Sequence, residues 1–231
     1  RTASTQNFVV QDMTNNYQVI GEVDAFTAPQ LIHKDAIYLH ESLQYQVVEL
    51  DWEGKKAIVK PVNVDYYTDG QDEVHINILD DSQKAPGRHC TRHLGEVAVK
   101  RITTMFKKIK FHTHENVGWG KIYLPEQEME TTAYWFNYEA SLLDRHSPEE
   151  IQEGLLGLAH LLGNIAPVYL MCDPSDIRTV SQVRSPFTEL PTIYMYDAYP
   201  GGIGLADKLF EIHDVLLQAA RQVISDCRCE N

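Results

Sequence analysis

The chain has 231 residues, 43% of them hydrophobic and 23% charged, with a formal net charge of −13. This is an ordinary globular composition, with room for one large or two modest domains, and no apolar run approaches the ~18 residues of a membrane-spanning helix. The acidic balance argues against autonomous tight binding to nucleic acid, which normally goes with a basic domain, but not against a part that supports a basic neighbour.

The first strands are read at Phe8-Val9-Val10 and Tyr17 to Val23, separated by Thr14-Asn15-Asn16. Ala25 to Ile32 is a short helical patch, and Ala36 to Leu39 is a strand. Tyr45 to Asp51 and Ala57 to Val62 flank Trp52-Glu53-Gly54-Lys55-Lys56, a hairpin signal with glycine in its loop. Close-spaced short strands point to a small closed barrel, SH3-like in size. Residues 69–94 read as a polar loop around one strand, Val74 to Leu79, followed by a long bent strand or hairpin over Gly95 to Thr113. Lys121 to Leu124 and Thr131 to Phe136 are further strands.

The composition changes near Arg145. Ser147-Pro148-Glu149-Glu150 is a helix start, with serine at the N-cap, proline at N1 and acids in the first turn. Ile151, Leu155, Leu158 and Leu162 then share one face. Pro167 to Met171 reads as a buried strand, and a loop through Pro186 and Pro191 leads to the strand at Ile193–Tyr196. Pro200-Gly201-Gly202 turns the chain, and Leu205, Leu209, Ile212, Leu216, Ala220 and Val223 recur at the spacing of one long C-terminal helix. The expected fold class is α+β: a β-rich barrel-like domain over 1–144 and an α/β domain over 145–231.

Cys227-x-Cys229 is the sharpest chemical signal, because thiolates are zinc ligands and a structural zinc takes four donors in a tetrahedron. The bland alternative is a pair of thiols on a frayed end. Cys90 and Cys172 read as small buried hydrophobes, and cysteines without a regular framework suit a reducing, cytoplasmic setting. Gly201, Gly202 and Gly204 before a helix could present N–H groups to an anion, or simply permit a tight turn and close packing. Asp173 and Asp176 could be catalytic or metal-binding carboxylates, or turn and cap residues. Asp197, among tyrosines, reads as a buried hydrogen-bond anchor. Lys100, Arg101, Lys107, Lys108 and Lys110 form a basic island that could meet DNA phosphates or protect an exposed edge strand. No GxxxxGK[ST] loop occurs.

The run Tyr196-Asp197-Ala198-Tyr199-Pro200-Gly201-Gly202-Ile203-Gly204, with its helix and Cys227-x-Cys229-Glu230, resembles the C-terminal zinc-binding domain of MrfA-like DEAD/DEAH-box superfamily 2 helicases. Ala166 to Ile177 resembles the second hallmark of that domain. Ile20-Gly21-Glu22, Ala36 to His40 and Val64 to Thr68 resemble the β-domain that precedes it. The resemblance spans nearly the whole chain. It implies an accessory, non-catalytic part of an ATP-dependent 3′–5′ DNA helicase linked to DNA repair. Its partners would be the motor domains and single-stranded or tailed duplex DNA, and ATP and Mg²⁺ would be bound by the motor. The zinc cluster in these helicases pairs a CxC with a following GCPxC; Cys227 and Cys229 match the first half. The chain starts at Arg1 and stops just after the cysteine pair, so the expectation is a piece of a longer protein that holds no stoichiometric zinc by itself. Two rival readings are a metal-dependent nuclease or hydrolase using Asp173, Asp176 and Asp197, and a protein-interaction module.

Overall fold

The structure is a computed structural model that describes residues 7–143 and 145–228. It is a mixed α+β fold whose chain forms two compact units, each discontinuous in sequence. The first takes the chain up to Val74 and returns for Arg101–Gln127; the second takes His75–Lys100 and the chain from Glu128 on. The composition change near Arg145 therefore falls inside the second unit rather than between the two.

In the first unit, β1 (Asn7–Asp12), β2 (Gln18–Asp24), β3 (Ile37–His40), β4 (Leu43–Asp51) and β5 (Lys56–Val62) form one sheet in the order β2-β1-β5-β4-β3. α1 (Ala28–Leu31) lies between β2 and β3 in sequence. Alternate residues point to one face, so Phe8 and Val10, Tyr45 and Val47, and Ala57 and Val59 build a single core with Ala28 and Ile32. β1 and β5 run parallel, and the other pairs run antiparallel.

Two long strands follow, β6 (Tyr66–Gly87) and β7 (Cys90–Lys110), then β8 (Asn116–Lys121) and β9 (Gln127–Tyr138). The polar stretch 69–94, expected as a loop around a short strand, lies almost entirely in β6 and β7: cross-strand hydrogen bonds override its low strand propensity. Arg101 on β7 is 4% exposed. Its guanidinium pairs with Asp72 at 3.3 Å, donates to Gln127 at 3.0 Å and lies 3.8 Å from the centre of the Phe26 ring. Asp72 also accepts from Thr103 and Gln30, each at 2.6 Å.

In the second unit, α2 (Ala140–Leu143) precedes α3 (Pro148–Leu170), which opens with a reciprocal capping box between Ser147 and Glu150. α3 continues through Pro167, where the sequence suggested a buried strand. The reason is the stripe Leu155, Ala159, Leu162, Ala166 and Pro167, all buried at helical spacing. Burying that stripe outweighs the ~3 kcal/mol that an interior proline costs. Met171 ends the helix in the left-handed conformation, and Val168 and Met171 are 75% and 93% exposed instead of buried.

β10 (Ile177–Gln182), read from the sequence as loop, pairs antiparallel with β11 (Thr192–Asp197), giving the sheet order β10-β11-β9-β7-β6 with β8 alongside β7. β11 sits between β10 and β9, and all six of its residues are buried. The periodic run beyond it folds as α4 (Leu205–Glu211) and α5 (His213–Asp226). The two meet at Ile212 rather than forming one unbroken helix. Hydrogen bonds from Ile212 to Lys208 and from Leu216 to Ile212 carry the helical pattern across the joint. Among the described residues no helix is long and apolar enough to cross a membrane.

Candidate functional site

The turn after β11 is organised by one carboxylate. Asp197, fully buried, accepts backbone N–H bonds from Ile203 at 2.5 Å, Leu205 at 3.2 Å and Ala206 at 2.8 Å. Gly204 is the N-cap of α4 and has no side chain to offer, so Asp197 caps that helix from the end of the neighbouring strand. Of the amides an anion could have used, those of Ile203, Leu205 and Ala206 are therefore already bonded to Asp197, and that of Gly202 donates to the Tyr199 carbonyl at 3.0 Å. Thr131 donates to the carbonyls of Asp197 and Tyr199 at 2.9 and 2.8 Å, and Gly201 donates to that of Glu130 at 2.9 Å. Gly201, Gly202 and Gly204 all have positive φ, which glycine adopts without a Cβ clash. Pro200 breaks the strand ahead of them.

Asp173 and Asp176 cap the short 3₁₀ turn Pro174–Asp176 reciprocally. Asp173 accepts from the Ser175 hydroxyl at 2.6 Å and amide at 2.8 Å, and these bonds hold its carboxyl below the usual range. Asp176 accepts from the Tyr199 hydroxyl at 2.6 Å and from the Asp173 amide at 3.0 Å. Among the described residues no three His, Cys, Asp or Glu side chains are grouped to hold a metal. The three carboxylates are thus spent on turns and caps, which is not the arrangement that metal-assisted hydrolysis needs.

The basic stretch of β7 does not present one face. Arg101 is turned into the first unit, as described above, and Lys100 lies 3.5 Å from Glu128. Lys108 sits 5.2 Å from the centre of the Tyr66 ring, and Lys110 is 3.9 Å from Glu115. Lys107 pairs in register with Trp119 of β8. No motif in the sequence marks Trp119; the signal that finds it is the alternation Val117, Trp119, Lys121, Tyr123 with Gly118 and Gly120 between.

Cys227, exposed, caps the end of α5, and Cys229 lies outside the described residues. Zinc needs four donors, and among the described residues no group of three such donors includes Cys227; by themselves they do not fit a tetrahedral zinc.

Cys90 is taken up by a contact that sequence spacing hides. Its thiol lies 3.5 Å from Nε2 of His213, and the Tyr134 hydroxyl bonds Nδ1 of the same ring. Burial pushes the Cys90 thiol up to about 11 and the Tyr134 hydroxyl well above its usual range. It pulls His213 below the ordinary imidazole value, with Arg92 adding to that effect and Asp214 opposing it. A buried thiol held so high is a poor nucleophile at neutral pH, and the contact between Cys90 and His213 lies inside the packed core of the second unit.

A pH dependence follows. His213 is neutral in the fold at a pH where the unfolded chain takes up a proton. Its contribution to stability is therefore complete above about pH 6.5 and falls as pH drops below that value toward the folded pKa. Urea midpoints measured between pH 7.5 and 5.5 should fall more steeply for the native chain than for His213→Gln. Equal slopes would show that the ring is not held neutral.

Against known proteins, residues 158–231 match the MrfA Zn-binding domain. The chain aligns at 44% identity over 234 positions with the ATP-dependent helicase YprA of Bacillus subtilis, covering all of this chain and 31% of that protein. It aligns at 20% identity with the ATP-dependent helicase HRQ1 of Saccharomyces cerevisiae, covering all of this chain and 23% of that one. A crystal structure of the helicase MrfA bound to DNA superposes with a TM-score of 0.70 at 43% identity, over 99% of this chain and 31% of that one. A crystal structure of MrfA without a named ligand gives 0.72 at 38% identity, over 100% and 32%. The chain spans about a quarter to a third of the length of these relatives. Over its whole length, then, the chain is similar to the C-terminal region of MrfA-like helicases, and its residues 158–231 match the MrfA Zn-binding domain.

Proposed function

We propose that the chain is the non-catalytic accessory part of an ATP-dependent 3′–5′ DNA helicase of DNA repair, acting in the cytoplasm. Its role is to support the motor domains of the same polypeptide and their grip on single-stranded or tailed duplex DNA. The observation that carries this reading is the agreement of nearly the whole chain with MrfA, whose structure was solved with DNA bound. With no phosphate-cradling GxxxxGK[ST] loop in the sequence, ATP and Mg²⁺ fall to the motor domains. Zinc falls to a four-cysteine site of which Cys227 and Cys229 are half. Within this reading the first sheet is a small SH3-like barrel, α4 and α5 act as one C-terminal arm, and residues 1–144 and 145–231 are its functional divisions. The rival hydrolase reading has no support in the engaged carboxylates of Asp173, Asp176 and Asp197.

The test is DNA binding and unwinding of a 3′-tailed duplex by a longer polypeptide that includes the motor domains, with and without Lys107→Glu and Lys108→Glu. Each reversed phosphate contact should lower the salt slope of binding by at least about 1 and slow unwinding. If both variants bind and unwind like the parent, the basic stretch is a solvated strand edge. If removing residues 1–231 altogether leaves unwinding intact, the accessory role is wrong.

A further inference from the structure

We propose that the outward face of β8 is a base-stacking surface for single-stranded nucleic acid. Trp119 and Tyr123 would be its rings, and Lys107 and Lys121 its phosphate contacts. This rests on the DNA reading above and adds a place where the strand is held.

The argument starts from strand alternation. On the inward face of β8, Gly120 packs so closely that a Cβ there would lie 2.4 Å from the Phe106 ring, and Ile122 just beyond the strand is 8% exposed. The Ile122 amide donates to the Thr104 carbonyl at 2.9 Å, so pairing with β7 continues one residue past the strand end. Trp119 and Lys121 therefore fall on the other face, the same alternation carried past the strand end puts Tyr123 with them, and Trp119 and Tyr123 are 62% and 85% exposed. The register sets Lys107 beside Trp119 and Met105 beside Lys121.

This places two large rings and two ammonium groups on one short strand pair. An exposed tryptophan on an edge strand invites aggregation, and lysines beside it reduce that hazard without explaining why the ring is there. Aromatic rings interleaved with cations on a strand face are what single-stranded nucleic acid binds: each base offers a π-face and each linkage an anionic phosphate. At about 3.3 Å per residue the two rings stand roughly 13 Å apart along the strand, which suits two bases that are not neighbours. An acidic protein partner would be drawn by the lysines alone, and an apolar one repelled by them, so the mixture favours nucleic acid.

The experiment uses a fluorescein-labelled 20-nucleotide oligo(dT) at low ionic strength, read by anisotropy and by quenching of tryptophan emission. Trp119→Ala should weaken binding by about tenfold, while Trp119→Phe keeps most of the affinity. Quenching should be largely lost in both variants, because Trp135 is buried in the second unit's core and Trp52 packs against Phe8 in the core of the first. Lys107→Ala should lower the salt slope by about 1. Unchanged affinity in Trp119→Ala, with binding otherwise normal, would overturn the stacking surface and leave the DNA reading standing. An absence of oligo(dT) binding by the native chain would overturn the stacking surface, while the DNA reading would still stand or fall on the unwinding test with the motor domains attached. A Trp119→Ala variant that loses self-association or capture of a protein partner, with DNA affinity unchanged, would make the face a protein-docking surface and overturn the proposal.

Discussion

Asp197→Ala is expected to destabilise the second unit by about 4 kcal/mol or more. The carboxylate is fully buried and is the shared acceptor for the amides of Ile203, Leu205 and Ala206. Hydrogen bonds to a charged group contribute about 1.5–3 kcal/mol each, and a buried donor left without an acceptor costs a comparable amount. Alanine removes all three bonds at once and leaves a cavity in which water can replace only part of them. Asp197→Asn keeps one acceptor oxygen and should fall between the native chain and the alanine variant. Urea unfolding followed by the signal of the buried Trp135 reads the effect. A loss below about 1 kcal/mol would show that the turn is held by its glycines and by Thr131 without the carboxylate.

Gly202→Ala should be nearly as damaging, and for a different reason. Gly202 has φ +72°, and a Cβ there would sit 1.6 Å from the Thr132 hydroxyl oxygen and 3.2 Å from its backbone nitrogen. The Thr132 rotamer could relieve the first contact, but the Thr132 Cβ, 2.9 Å away and fixed by the backbone of β9, must shift as well. Overpacking of that kind typically costs about 1–3 kcal/mol, on top of about 1–2 kcal/mol for the left-handed conformation. Gly201 is the internal control: its φ is +77°, but nothing lies within 4 Å of the place a methyl group would take there. Gly201→Ala should therefore cost only the conformational part, about 1–2 kcal/mol. Similar midpoints for the two variants would mean that the Thr132 contact relaxes freely and that only φ matters at this turn.

The sequence by itself determined what depends on near neighbours. Ser147 and Glu150 are three residues apart, so their capping box is written in the local order of the chain. The strands around Val10, Val47 and Val59 follow from alternation, and the turn at Pro200–Gly202 from residues that tolerate little else. The resemblance to MrfA-like helicases was carried by such local runs, and the whole-chain comparisons agree with it.

The tertiary structure alone decided what depends on partners far along the chain. Pro167 reads as a break until the buried stripe from Leu155 to Ala166 carries the helix through it. β10 carries the β-branched Ile177, Thr179 and Val180, but so short a run inside a loop-like stretch becomes a strand because β11 offers it a paired edge. Arg101 belongs to a basic run in sequence, yet Asp72 and Phe26 draw it into the interior of the first unit. Cys90 and His213 are 123 positions apart, so no spacing rule could join them. Trp119 looks like any strand aromatic until Gly118 and Gly120 fix which face is inward. Short-range order is set by the propensities and sterics of adjacent residues. Burial and long-range pairing are set by which surfaces the whole chain can remove from water together, and that is where this protein's charges and aromatic rings acquired their places.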